Sequence, residues 1–166
     1  MEEGNLYRAK LLLQQNRYDL AERELRRNLS EEPHSAEAHA LLAVCISIDR
    51  ERLAQATEEA QQAVALEPDN PFTHAVLARV YTARNELEKA LAAVQEAIRL
   101  DPYDSSSFSL MGSIQLGRSR AAEALEAAQQ GLEIDPDDTD CINVQTIALE
   151  RLGRVSDAQQ SVAEAL

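Results

Sequence analysis

Four prolines fall on a ruler. Pro33, Pro68, Pro102 and Pro136 are separated by 35, 34 and 34 residues. A chain with a fixed period of this length folds as an array of like units, because each unit is one supersecondary element that cannot bury its apolar face alone. An alanine stands 12 residues before each proline, at Ala21, Ala56, Ala90 and Ala124, and the ruler's next step finds Ala158. The 166 residues thus hold four units and most of a fifth in a single array, over about 1–34, 35–69, 70–103, 104–137 and 138–166. The one extra residue of the second unit falls near Asp49–Arg52, in a surface turn that tolerates it.

The prolines also punctuate. Proline cannot continue a helix and commonly follows a helix end. After each come small polar residues (His34-Ser35, Asp69-Asn70, Asp104-Ser105, Asp137-Asp138), types that cap helix N-termini by accepting free backbone N–H groups. Asn70 before Pro71 is the clearest case, since proline is favoured at the first helical position. Between these marks apolar residues recur at three and four: Leu87, Ala90, Leu91, Val94, Ala97 and Ile98 in one stretch, Ala121, Ala124, Leu125, Ala128 and Leu132 in another. No alternating strand pattern occurs. The spacing predicts ten helices, at about 3–15, 18–31, 35–48, 52–66, 71–83, 86–100, 105–117, 120–134, 139–152 and 155–166.

Composition narrows function. Apolar residues make up 45% of the chain and charged ones 27%, as in a soluble globular protein, while aromatics make up only 4%, with no Trp. Small residues at helix contacts explain that deficit. The net charge is −13, with 16 basic against 29 acidic residues, which argues against nucleic acid. Residues 1–34 carry a net of only −1, so the acid belongs to the later chain. No run of about 20 apolar residues is present to span a bilayer. The acidic start Met1-Glu2-Glu3 is no secretory signal. Cys45 and Cys141 form neither a disulfide framework nor a metal spacing, which fits a reducing, cytoplasmic setting.

The array resembles the tetratricopeptide repeat, a 34-residue helix–turn–helix unit with the pattern W-x2-L-G-x2-Y…A-x3-F…P. The third unit matches with His74, Leu77, Ala78, Tyr81, Ala90, Val94 and Pro102, and the fourth with Phe108, Met111, Gly112, Gln115, Ala124, Ala128 and Pro136. The first small residue recurs as Ala9, Ala43, Ala78, Gly112 and Thr146; the last as Asn28, Ala63, Ala97, Gly131 and Ala165. The departures are the missing Trp, Arg8 and Gln145 where Leu is usual, and Asn28. The resemblance implies an all-α, right-handed superhelical solenoid of antiparallel helix pairs, of the kind found in bacterial repeat proteins. It implies a non-catalytic scaffold whose first helices line a concave groove that takes a peptide or helix of another protein. No cofactor is expected.

Projected onto that groove, the units supply Leu6, Lys10 and Leu13; Ala40, Val44 and Ile48; Ala75, Arg79 and Thr82; Ser109, Ser113 and Leu116; and Asn143, Ile147 and Arg151. Spacings of three and four put each set on one helix face. Chaperone-binding members of the family clamp a C-terminal carboxylate with paired Lys/Arg and Asn. Here Leu6 with Lys10 and Ala40 with Val44 stand at those places, so the clamp is missing. The face suits an apolar or amphipathic segment, with Arg79 as its central cation. Val44, Ile48 and Ile147 also fit simple packing between helices, which leaves the alternative of a structural module acting through self-association of its ends or faces.

Other constellations read as structure. His39 and His74 occupy equivalent places in adjacent units; a zinc site there needs two further ligands, and packing is the expectation. The run Asp135–Asp140 lacks the glycine and the bidentate Glu of a calcium loop. Arg23, Arg26 and Arg27 sit beside Glu22 and Glu24 on a solvated helix. No phosphate loop and no nucleophile with its base is present. The last helix is cut before its turn and leaves Val162, Ala165 and Leu166 uncovered. The expectation is a piece of a longer repeat protein, of a type that includes membrane-anchored members, or else self-association through that end.

Overall fold

A computed structural model describes the backbone of residues 2–164 and the side chains of 4–159 and 163. Val162, Ala165 and Leu166, on which the expected self-association rests, have side chains outside that set. Ten α-helices, and no strand, occur among the described residues: α1 (Glu2–Gln14), α2 (Tyr18–Glu31), α3 (Ala36–Ser47), α4 (Leu53–Leu66), α5 (Pro71–Ala83), α6 (Leu87–Leu100), α7 (Ser105–Gly117), α8 (Ala121–Ile134), α9 (Thr139–Arg151) and α10 (Val155–Glu164). Each lies within two residues of its expected bounds. The chain divides into two compact units, Met1–Glu86 and Leu87–Leu166.

In the first unit α1 packs on α2 and α3 on α4, while α5 lies against both α3 and α4. In the second, α6 packs on α7, α7 pairs with α8, α9 pairs with α10, and α9 also meets α7 and α8. The ruler's alanines sit at these contacts. Ala21 and Ala56 in the first unit and Ala90 and Ala124 in the second have no exposed surface, and neither do Ala9 and Ala43, the first small residues of their repeats. Gly112 shows why bulk is excluded. A Cβ there would stand 2.5 Å from Val144 Cγ1 and 3.3 Å from the Ala124 carbonyl oxygen of the paired helix. A Cβ on Gly131 would collide with the Cys141 sulfur and come within 3.2 Å of Phe108 Cβ.

The turns follow two rules. After each proline a side chain caps the next helix: Ser35 accepts from the Ala38 N–H, Asn70 from Phe72, Asp104 from Ser106, and Asp138 from both Asp140 and Cys141. Between the two helices of a repeat, a left-handed residue ends the first helix. These are Asn16 (φ 56°), Asn85 (φ 59°), Ser119 (φ 60°) and Gly153 (φ 76°). The following N–H closes on a carbonyl five residues back: Arg17 on Leu12, Glu86 on Tyr81, Arg120 on Gln115 and Arg154 on Leu149. This is the Schellman closure of a helix C-terminus.

The second repeat breaks the rule, and its extra residue is the reason. No left-handed residue stands there among the described residues. A 3₁₀ turn over Arg50–Arg52 replaces it, capped by Asp49, whose Oδ1 accepts the Glu51 N–H at 3.0 Å. Arg52 then reaches back to α2. Its Nη1 donates to Glu22 Oε2 at 2.9 Å and its Nη2 to Glu22 Oε1 at 2.6 Å.

Asn28 stands where the other repeats place Ala63, Ala97 and Gly131. It is buried, and its Oδ1 has no hydrogen-bond partner among the described residues.

Two substitutions test these constraints by urea unfolding. Ser119→Gly relieves a left-handed non-glycine residue and should raise stability by up to about 1 kcal/mol. Gly131→Ala should lower it by about 1–3 kcal/mol through overpacking, and Cys141→Ala in the same chain should restore much of the loss.

Candidate protein-binding face

The first helices of the first unit are α1, α3 and α5. On α1, Leu6 and Leu13 are half-buried against the core. Lys10 is drawn across to α3, where its ammonium meets the Glu37 carboxylate at 2.6 Å. Gly4, Leu6, Tyr7, Lys10 and Glu37 line a hollow of about 540 Å³ on this face. On α3, Ala40 is wholly buried and supports the face from below; Val44 is half-buried, and Ile48, at the helix end, is 59% exposed. On α5, Ala75 and Thr82 are half-buried, with the Thr82 hydroxyl donating to the Ala78 carbonyl at 2.8 Å, and Arg79 is exposed.

The second unit presents α7 and α9. Ser109 and Leu116 are buried, the Ser109 hydroxyl donating to the Ser106 carbonyl. Ser113, Asn143, Ile147 and Arg151 are exposed. The Arg151 guanidinium donates to the Leu116 carbonyl at 2.7 Å, so it braces α9 on α7.

Sequence reasoning missed three exposed apolar side chains on first helices: Tyr7 (70%), Leu11 (44%) and Phe72 (40%). With Ile48 and Ile147 they form a pattern. Among the described residues, α2, α4, α6 and α8 expose no large apolar side chain, while α10 exposes Val155 at its start. The repeat pattern contained the signal for Phe72, which shares the Arg79 stripe seven residues earlier.

Beside this face the irregular turn leaves a hollow of about 460 Å³, lined by Tyr18, Leu20, Glu22, Cys45, Ile48 and Arg52 among others. The paired hydrogen bonds from Arg52 outweigh the cost of partial burial and, with help from Arg26, hold the Glu22 carboxyl at about 2. Burial pushes the Cys45 and Cys141 thiols up to about 12, so neither serves as a nucleophile at neutral pH. Burial also works against the charged forms of Asp104 and Asp138. The serine and backbone donors around them win, and both carboxyls lie below the usual range.

The two equivalent histidines act as staples. The His39 ring meets the Pro33 carbonyl at 3.0 Å and Glu59 at 2.7 Å, and the His74 ring meets the Pro68 carbonyl at 2.7 Å. Each ties a first helix to the proline turn before it. Among the described residues no group of three His, Cys, Asp or Glu side chains is placed to hold a metal ion. No helix among them is long and apolar enough to cross a membrane. Arg26 pairs with Glu22 and Arg27 with Glu31 on the α2 surface.

Two family profiles described as tetratricopeptide repeat match the chain, over residues 6–71 and 47–114. The chain belongs to the tetratricopeptide repeat (TPR) family. Its repeats mark it as a protein–protein interaction scaffold, and TPR proteins are generally non-catalytic. The crystal structure of a thermophilic TPR protein in Thermus thermophilus is similar with a TM-score of 0.90 at 23% identity, over 100% of this chain and 90% of that one. Pseudomonas aeruginosa pilF gives 0.85 at 23% identity, over 99% and 76% of the two chains. YrrB, described as a TPR protein with an unusual peptide-binding site, gives 0.67 at 19%, over 97% and 82%. Identities this low establish a common fold alone. No curated protein sequence matches the chain.

The Glu22–Arg52 bridge predicts an acid-dependent stability. Its carboxyl titrates lower when folded than the unfolded value of about 4.3, so its contribution is full above that pH and is lost as pH falls toward about 2. Glu22→Gln removes it. The difference in urea stability between wild type and variant should be constant from pH 7 to about 5 and shrink below about 4.

Proposed function

We propose that the chain binds a segment of another protein on the first-helix face of its first unit. The observation that carries the reading is the asymmetry of exposure: Tyr7, Leu11, Ile48 and Phe72 are exposed on first helices, and α2 and α4 expose no comparable side chain among the described residues. Large apolar side chains left exposed on one set of helices, while Leu25, Leu42 and Ile46 are buried in the same unit, mark an interaction surface. In this reading Leu6, Lys10, Val44, Ile48, Ala75, Arg79 and Thr82 form or border the site, and Ala40 and Leu13 support it. Ser113, Asn143 and Ile147 are the surface residues of the corresponding face in the second unit, with Ser109, Leu116 and Arg151 holding that face together. The role is that of a non-catalytic scaffold. A cytoplasmic setting accords with the two free cysteines.

A peptide library displayed on phage and selected against the purified chain tests this. Binders are expected to lose about ten-fold or more in affinity when Val44 and Ile48 are both changed to Glu, since buried apolar anchors carry most of the energy of such contacts. Glu58→Lys, on the exposed side of α4, should leave affinity unchanged. Binders insensitive to the double change and sensitive to Glu58→Lys would reject the first-helix face.

A further inference from the structure

We infer that the segment taken by the first unit carries a carboxylate that pairs with Arg79, so that the partner is an acidic, apolar stretch of another protein. The inference rests on the first-helix face being the binding surface. Three basic residues stand on the described first helices of this unit. Arg8 reaches Glu24 at 3.4 Å and Lys10 reaches Glu37 at 2.6 Å. Arg79 is exposed and has no hydrogen bond or ion pair among the described residues. Among the described residues Arg79 is thus the one of these three bases without an acid. No acid lies on α5, and Glu37, the acid of α3, is taken by Lys10. The uncompensated charge on α3 and α5 is therefore positive.

Its surroundings make that charge selective. Phe72 lies on the same stripe of α5, about 10 Å along the axis. Val44 holds the equivalent place on α3, which packs against α5, one helix spacing of about 10 Å away. Ile48 follows one turn later. An apolar segment that covers Val44 and Phe72 also strips water from the Arg79 guanidinium, which neighbours both. A charge desolvated without a partner in that position works against binding. A carboxylate removes the cost, and the planar guanidinium accepts it in a two-pronged hydrogen bond. The spacing follows from the helix-to-helix step of about 10 Å. In an extended segment the acid stands about three residues from the apolar residue on Val44, and in a helical one about seven.

Peptides selected by display against the full chain should be enriched in Asp or Glu at one of those two spacings from an apolar residue. For such a peptide, Arg79→Met should weaken binding about three-fold and Arg79→Glu about ten-fold or more. Replacing the peptide's acid by Lys should restore binding to the Arg79→Glu chain, a recovery that a merely misfolded variant would not give. Binders that need Val44 and Ile48, show no enrichment in acid and ignore Arg79→Glu would overturn the inference and leave the face standing. Binders that ignore Val44 and Ile48 would overturn both.

Discussion

Close approach of helix backbones is the constraint on which the rest of this protein depends. Small residues such as Ala9, Ala21, Ala43, Ala56 and Ala124 are wholly buried between the helices, and Gly112, set against Val144 and the Ala124 carbonyl, has no room for a methyl group. Packing at this distance replaces large side-chain contacts with many short ones between backbones and small groups, each weak and collectively strong. It also sorts the contact positions, reserving the closest of them for small residues. Alanines fill the closest contacts, Leu25, Leu42, Ile46 and Ile114 fill the larger spaces of the core, and Tyr7, Phe72 and Ile48 are left at the surface of the first helices.

Turns hold the sorting in register. Side-chain caps after each proline and Schellman closures between paired helices fix where each helix begins and ends, so that small residues meet small residues. The exception shows how much of this is local. One extra residue removes a left-handed closure, and a 3₁₀ turn with a new Arg52–Glu22 bridge takes over the work of tying α4 to α2. The bridge crosses between repeats, as the left-handed closures do not. The second repeat has exchanged a backbone device for an electrostatic one, with a hollow beside it.

Helix positions and caps are legible in the sequence because each depends on a few neighbouring residues. The projected face is legible only in part. A spacing of three and four defines a stripe but not which edge of it turns toward the next helix. Ala40, Ser109 and Leu116 lie on the packed edge and are buried, while Tyr7, outside the projected set, and Phe72, on the Arg79 stripe but one turn before the projected residues begin, are exposed. The cations show the same limit. In the sequence Lys10 and Arg151 stand beside Arg79 as equals, yet one is held by Glu37 on another helix and the other by the Leu116 carbonyl 35 residues away. Partners that come from another helix leave no mark in the local pattern. Asn28 is a further case: the repeat marks its place as small, and nothing in the structure explains an amide whose oxygen is buried without a partner among the described residues.

The acidic total and the free Arg79 cation of the first-unit face act together. A net charge of −13 repels other acidic chains at long range, and that repulsion fades beyond about 8 Å at physiological salt. A segment that lacks apolar anchors therefore has nothing to hold it against the background. A segment that has anchors but no acid must bury the Arg79 charge unpaired. On the proposed reading only one with both satisfies the face, so discrimination comes as much from what the surface refuses as from what it binds.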